Sequence, residues 1–247
     1  CALYCIGPGR ITFHFQNVLA QLSITYLIAF LLRDSRIWIQ VAVSVFVLAL
    51  TEVLYRTFGV AGYDQAFTPD MLISGDLSGG HWVSFNAIPT TAHTIWGVLT
   101  GYLILSKKSQ KQKVILMLVL GGAGIIIGLL YGQITPVIKR ISTPSFVILS
   151  GGWAFMVMAI SYWIIDVKGY RNWTKMFAIV GMNPLFIYLF AHVGGADLVY
   201  SIIKPFSYFL MSWTDEVYGK ILTSGLTWTF LWYICYWMFK RKIFIKI

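Results

Sequence analysis

The residues able to do chemistry are few, and they sit at particular places in an otherwise apolar chain. Asn86-Ala87-Ile88-Pro89-Thr90-Thr91-Ala92-His93-Thr94 puts an amide, three hydroxyls and an imidazole at the start of a long apolar run. At helical spacing Thr90, His93, Thr94 and Gly97 share one face. A polar stripe with a histidine, one turn into such a run, points to a cavity; His93 alone is equally an inter-helix hydrogen bond. Lys139 and Arg140 lie between Pro136 and Pro144, which restrict the path of that segment. Two cations there suit an anionic or carbonyl oxygen, or anchor lipid headgroups. Asn183-Pro184 falls in the middle of another apolar run, where proline removes a helix hydrogen bond and leaves Asn183 to bond the broken backbone or a ligand. His192, before Gly194-Gly195, is a candidate acid or base, since an imidazole titrates near neutrality, and as a lone histidine also a structural one. Glu52 and Arg56 are one turn apart and neutralise each other as an i,i+4 pair, which favours a structural role over pocket lining. The four histidines, His14, His81, His93 and His192, have no close His, Cys or carboxylate partner at ligand spacing, so no metal is expected. No GxSxG, phosphate-binding glycine loop or HExxH is present, and no catalytic nucleophile is assigned.

The elements that must position these groups follow from composition. Of 247 residues, 58% are hydrophobic and 11% charged, against about 25% charged in a typical soluble domain. Mean hydropathy is +0.74. These values exclude a disordered chain, a nucleic-acid-binding domain built on basic patches, and a soluble enzyme. A bilayer core needs about 20 mostly apolar residues per helix. Seven segments satisfy this, at roughly 13–32, 37–56, 87–106, 113–132, 144–165, 174–193 and 221–239. Their unbroken apolarity excludes barrel strands, and lipid leaves only helices for runs of this length. The fold expected is an all-α polytopic membrane helix bundle of about seven transmembrane helices, forming a single domain over 1–247.

Charge then orients the bundle. Thirteen of the nineteen basic residues fall in one set of connections and the tail: Arg33, Arg36, Lys107, Lys108, Lys111, Lys113, Lys168, Arg171, Lys175, Lys240, Arg241, Lys242 and Lys246. The alternate set holds Arg10, Arg56, Lys139, Arg140, Lys204 and Lys220, with most of the acids. The positive-inside bias places the N-terminus outside and the C-terminus in the cytoplasm. The net charge of +10 therefore needs no acidic partner. Two connections on the outer side are long. Residues 57–86 form a turn-rich loop, and 194–220 carry Leu198, Ile202, Ile203, Phe206, Phe209 and Leu210 at spacing suited to a short interfacial helix that Pro205 interrupts. Cys1, Cys5 and Cys235 are too few and scattered for a disulfide framework. The start at Cys, without a signal-peptide pattern, leads us to expect the C-terminal part of a longer protein.

One stretch carries a family signature. It runs from Pro136-Val137-Ile138-Lys139 through Ser145-Phe146-Val147, Asp166-Val167-Lys168-Gly169 and Trp173 to Gly181-Met182-Asn183-Pro184-Leu185, Tyr188 and His192. Its order and spacing resemble the heparan-alpha-glucosaminide N-acetyltransferase family, including its bacterial branch. Asn17-Val18-Leu19-Ala20-Gln21 through Tyr26, and Asn86 through Gly101, resemble that branch too. The resemblance implies a transmembrane acyltransferase of the bacterial inner membrane. Such an enzyme draws acetyl-CoA from the cytoplasmic side and delivers the acetyl group to a sugar amine or hydroxyl on the other. The residues read above fit that layout: Asn86, His93, Lys139, Arg140, Asn183 and His192 are candidates to line a substrate pocket, and Lys107, Lys108, Lys168 and Arg171 could hold the CoA phosphates, although the positive-inside rule accounts for these four equally. The family's acyl-handling histidine lies in helices before the region where this chain starts, and none of the four histidines matches it by motif.

The expected partners are thus the lipid bilayer, acyl-CoA and a sugar or glycan acceptor, with a homodimer as a further candidate and no nucleic acid. The competing reading is a transmembrane carrier with a midplane site at the kinked sixth helix. Orientation is directly testable by reporter fusion. Green fluorescent protein on the C-terminus is expected to fluoresce and alkaline phosphatase there to stay inactive; the reverse pattern would overturn the topology.

Overall fold

A computed structural model describes residues 6–7, 10–11, 18–58, 86–139 and 141–245. The turn-rich loop expected over 57–86, together with His14, His81 and Arg140, lies almost wholly or entirely outside these residues. A two-residue antiparallel hairpin, β1 (Ile6–Gly7) and β2 (Arg10–Ile11), precedes the helices, pairing Ile6 with Ile11. Among the described residues, all other regular structure is helical.

Two compact units emerge, Cys1–Val167 and Lys168–Ile247. The first holds α1 (Val18–Leu32), α2 (Ile37–Phe58), α3 (Ala87–Leu105), α4 (Gln110–Tyr131) and α5 (Pro144–Tyr162), which widens into a π turn over Trp163–Val167. The second holds α6 (Thr174–Gly181), α7 (Pro184–His192), α8 (Gly195–Leu210) and α9 (Glu216–Lys240). Local signals explain several ends. Ser109 and Gln112 form a reciprocal capping box at the start of α4. Pro144 sits in the first turn of α5, where its missing amide costs nothing. Asn86 takes the N-cap position of α3, yet has helical backbone angles and makes no capping bond.

Among the described residues, three helices are long and apolar enough to cross a membrane, over Ile37–Thr57, Gln110–Tyr131 and Pro144–Val167. The expected sixth span is two helices, Thr174–Gly181 and Pro184–His192, bent by 69° at Asn183; counted as one broken span, it raises the number to four. The kink is therefore a full break, because Pro184 starts a new helix and does not sit within an old one. α3 is long enough but diluted by its threonines and His93, and the described part of the first span is only 15 residues. The amphipathic helix predicted over 194–220 is longer than expected: α8 runs 16 residues with Pro205 inside it.

Within the first unit, α4 and α5 touch backbone to backbone. A Cβ added at Gly152 would lie 2.6 Å from the Ile125 nitrogen, and one at Gly128 would lie 2.7 Å from the Leu149 Cα. In hydrocarbon there is no hydrophobic drive between helices, so close van der Waals contact through small residues must supply the cohesion. Gly124 and Gly128 form the GxxxG pattern that could have announced this contact. Val47, Leu48, Ala92 and Val147 form a buried cluster that ties α2, α3 and α5 together. In the second unit Ser207 of α8 bonds Thr223 of α9, and Gly219 packs under Tyr208.

Replacing Gly152 by alanine is expected to overpack this contact and destabilise the protein by about 1–3 kcal/mol. A lowered thermal unfolding midpoint in detergent checks it, with Gly122→Ala, where nothing lies within 4 Å of the added Cβ, as the tolerant control.

Candidate functional site

The polar stripe on α3 opens onto a cavity of about 530 Å3, enclosed by α1, α3, α5 and the segment before α5. Thr90, His93, Gly97 and Thr100 line it from α3, whereas Thr94, expected on the same face, does not. Gln21 enters from α1: its amide Nε2 donates to Thr90 Oγ1 at 3.0 Å. Thr90 in turn donates to the Asn86 carbonyl at 2.8 Å. Lys139 and Ser142 close the end of the cavity beside Asn86.

Why Asn86 does not cap its helix is now visible. Its side-chain oxygen accepts a hydrogen bond from Ser142 Oγ. Ser142 has a φ of 55°, a left-handed conformation uncommon outside glycine. That strained position persists only when the surroundings over-determine it, and the neighbouring bonds do so. Thr143 Oγ1 accepts from the Ile138 amide at 3.0 Å and donates to the Pro136 carbonyl at 2.9 Å, while Ser145 also bonds Pro136. Further back, Thr135 Oγ1 donates to Glu52 Oε1 at 2.6 Å. Arg56 Nε donates to the same carboxylate oxygen at 2.6 Å. The Glu52–Arg56 pair thus anchors the segment that presents Ser142 and Lys139.

His93 faces α5. Its Nε2 lies 3.0 Å from the Val147 carbonyl and 3.1 Å from Ser150 Oγ. A carbonyl can only accept, so Nε2 carries the proton and Nδ1 keeps a lone pair. Ser150 directs its own proton to the Phe146 carbonyl at 2.6 Å, which agrees with its accepting from His93. Gly151 makes room for the Trp96 ring that stands edge-on to His93, since a Cβ there would come within 2.4 Å of the indole. Among the lining residues only His93 and Lys139 titrate; none is a carboxylate or thiol. The cavity can therefore hold a hydrogen-bonding ligand and move a proton at His93 Nδ1.

Of the residues singled out from sequence, Asn86, His93 and Lys139 meet in this cavity. Asn183 is fully buried in the second unit, with both ends of its amide engaged: Nδ2 donates to the Ile243 carbonyl at 3.0 Å and Oδ1 accepts from the Ile245 amide at 2.9 Å. His192 is exposed at the end of α7 and stacks on Tyr188 at 4.8 Å. Lys107 and Lys108 are exposed between α3 and α4, and Lys168 and Arg171 are exposed before α6. Sequence reasoning did not single out Gln21, Ser142 or Ser150 as site residues. Gln21 and Ser150 carried the signal of a polar side chain inside an apolar run; Ser142 carried none, since its role depends on a left-handed turn.

A helical membrane protein with a cavity between α1, α3 and α5 that carries hydrogen-bonding groups at one end is the class that these features define. In sequence, the chain is 27% identical over 161 residues to the human heparan-alpha-glucosaminide N-acetyltransferase, covering 61% of this chain. The chain spans about a quarter of that relative's length, 23%. No family model matches the chain, and no solved structure matches it. The resemblance carried by the motifs thus has a counterpart in a named membrane acetyltransferase.

Asn183→Ala is expected to release the C-terminal segment by removing two buried hydrogen bonds, at a cost of about 1–3 kcal/mol. Hydrogen exchange would show this as loss of protection confined first to the amides around Ile245; unchanged protection there would refute the latch.

Proposed function

We propose that this protein is a membrane-bound acyltransferase that moves an acetyl or other acyl group from a cytoplasmic acyl-CoA to a sugar on the outer side, through a bundle of about seven spans. The observation that carries this reading is the cavity in which His93, oriented by Val147 and Ser150, stands among the amides and hydroxyls of Gln21, Asn86, Thr90 and Ser142. Such donors and acceptors suit a sugar, and the likeness to an N-acetyltransferase supplies the reaction class. From Asn86 to Thr100 the cavity follows about 21 Å of α3 at 1.5 Å per residue. It ends at Thr100, little more than one turn before α3 stops at Leu105, and Lys107 and Lys108, exposed cations suited to the phosphates of CoA, follow that end.

In this scheme the acceptor's amine or hydroxyl attacks the thioester carbonyl, the carbon–sulfur bond breaks, and CoA leaves as its thiolate. His93 Nδ1 takes the acceptor's proton and returns it to the thiolate, so no proton is left over. Lys139, at the Asn86 end of the cavity, orients the acceptor, and Arg140, next to it in sequence, adds a second cation; Asn183 and His192 belong to the second unit and take no part in this scheme. The carrier reading is the less favoured, because the helix break on which it rested has its asparagine amide tied to Ile243 and Ile245.

The test is acyl transfer by the full protein in native membranes, followed with labelled acetyl-CoA. His93→Ala is expected to lower kcat by about 100- to 10,000-fold with a smaller change in KM, the usual weight of a positioned acid–base group. Wild-type rates in that variant, or no CoA binding by the wild type, would overturn the assignment.

A further inference from the structure

The cavity is not uniform along its length. At the Asn86 end it is lined by amides, hydroxyls and Lys139, while past His93 the walls become Trp96, Phe155, Ala154 and Met158. The hydrogen-bonding side chains are thus gathered toward the Asn86 end, with Phe146 among them, while Thr100 at the far end turns its hydroxyl back onto the Trp96 carbonyl. The apolar half is also open at its side, because Gly97 on α3 and Ala154 and Met158 on α5 are exposed. α5 with its π turn is one of the helices of membrane-spanning length, so this opening lies at the depth of hydrocarbon and not of water. A soluble sugar would leave the apolar half of such a site to lipid or solvent. Burying a hydrocarbon tail along it contributes about 0.8 kcal/mol per CH2 relative to water.

We infer that the acceptor is a glycolipid, with its sugar headgroup between Gln21, Asn86, Ser142 and His93 and its hydrocarbon tail running past Trp96 and out between Gly97 and Met158. This rests on the acyltransferase reading for the headgroup's role, but the binding itself does not. The polar end meets the sugar's hydroxyls with hydrogen-bonding groups, and the side opening lets the tail stay in the bilayer while the head is presented to His93. The acceptor therefore reaches the site laterally, without leaving the membrane. The space beside Gly97 is open: a Cβ there would meet nothing within 4 Å, so only a large side chain would fill the passage.

The test is photolabelling of the full protein in dioleoyl phosphatidylcholine nanodiscs, using a dodecyl glucosaminide that carries a diazirine near the tail end. Peptide mapping is expected to place adducts on α3 around Gly97–Thr100 and on α5 around Ala154–Met158. Excess dodecyl glucosaminide should compete at least tenfold better than methyl glucosaminide. Gly97→Phe should cut this labelling by about tenfold, and Ala154→Phe, placed on the facing helix, gives the same readout if the first variant does not fold. Adducts spread evenly over lipid-facing helices, or equal competition by the tail-less sugar, would overturn the inference. Acetyl transfer to methyl glucosaminide without cavity labelling would sink the glycolipid and spare the acyltransferase. Cavity labelling with no transfer to either sugar would do the reverse.

Discussion

Hydrocarbon offers no hydrogen bonds, so every polar side chain carried into these helices must find its partner in the protein itself. Much of the first unit can be understood from that constraint. Thr25, Ser44, Thr51, Thr91 and Thr100 fold their hydroxyls back onto carbonyls of the preceding turn, which satisfies each within its own helix. Gln40 turns its amide onto the end of α1. The groups that cannot be satisfied this way are drawn toward one another. Gln21, Asn86, His93 and Ser142 bond across α1, α3, α5 and the segment before α5, with Thr90 and Ser150 accepting while their own protons go back to the preceding turn, and the space between them is the cavity.

Close helix contact and an open cavity are opposite demands, and glycine placement separates them. On α4 and α5, Gly121, Gly124, Gly128 and Gly152 leave no room for a Cβ, so the two backbones press together. One residue earlier on α5, Gly151 faces α3 and admits the Trp96 ring. Adjacent glycines in one helix thus serve opposite faces, one sealing a contact and the other shaping the cavity wall. The second unit follows the same rule of internal satisfaction. The break between α6 and α7 leaves a buried asparagine whose amide is matched donor for acceptor by the backbone at Ile243 and Ile245.

The positions of the helices were legible in the sequence because the signal is local. α2, α3, α4 and α5 begin and end within a few residues of the apolar runs, since hydropathy and cap residues act over one or two turns. The number of spans is a different matter, because it depends on whether a helix with several threonines and a histidine still crosses the bilayer. The site was legible in part. Asn86, His93 and Lys139 stand out as polar groups in apolar surroundings, and they do line one cavity. Asn183 stood out by the same signal, yet its partner is 60 residues away in sequence and only the folded chain supplies it.

Composition and patterning by themselves determined that this chain is helical, that it belongs with a bilayer, and which polar residues are anomalous there. Those properties follow from hydration and helical periodicity, which each residue carries with it. Only the tertiary structure decided how the anomalies are shared out: Glu52 and Arg56 to an anchor, Asn183 to a latch, and His93 to a cavity with its proton held on Nε2. The reason is that a hydrogen bond is defined by two groups and a distance, and sequence supplies the groups without the distance.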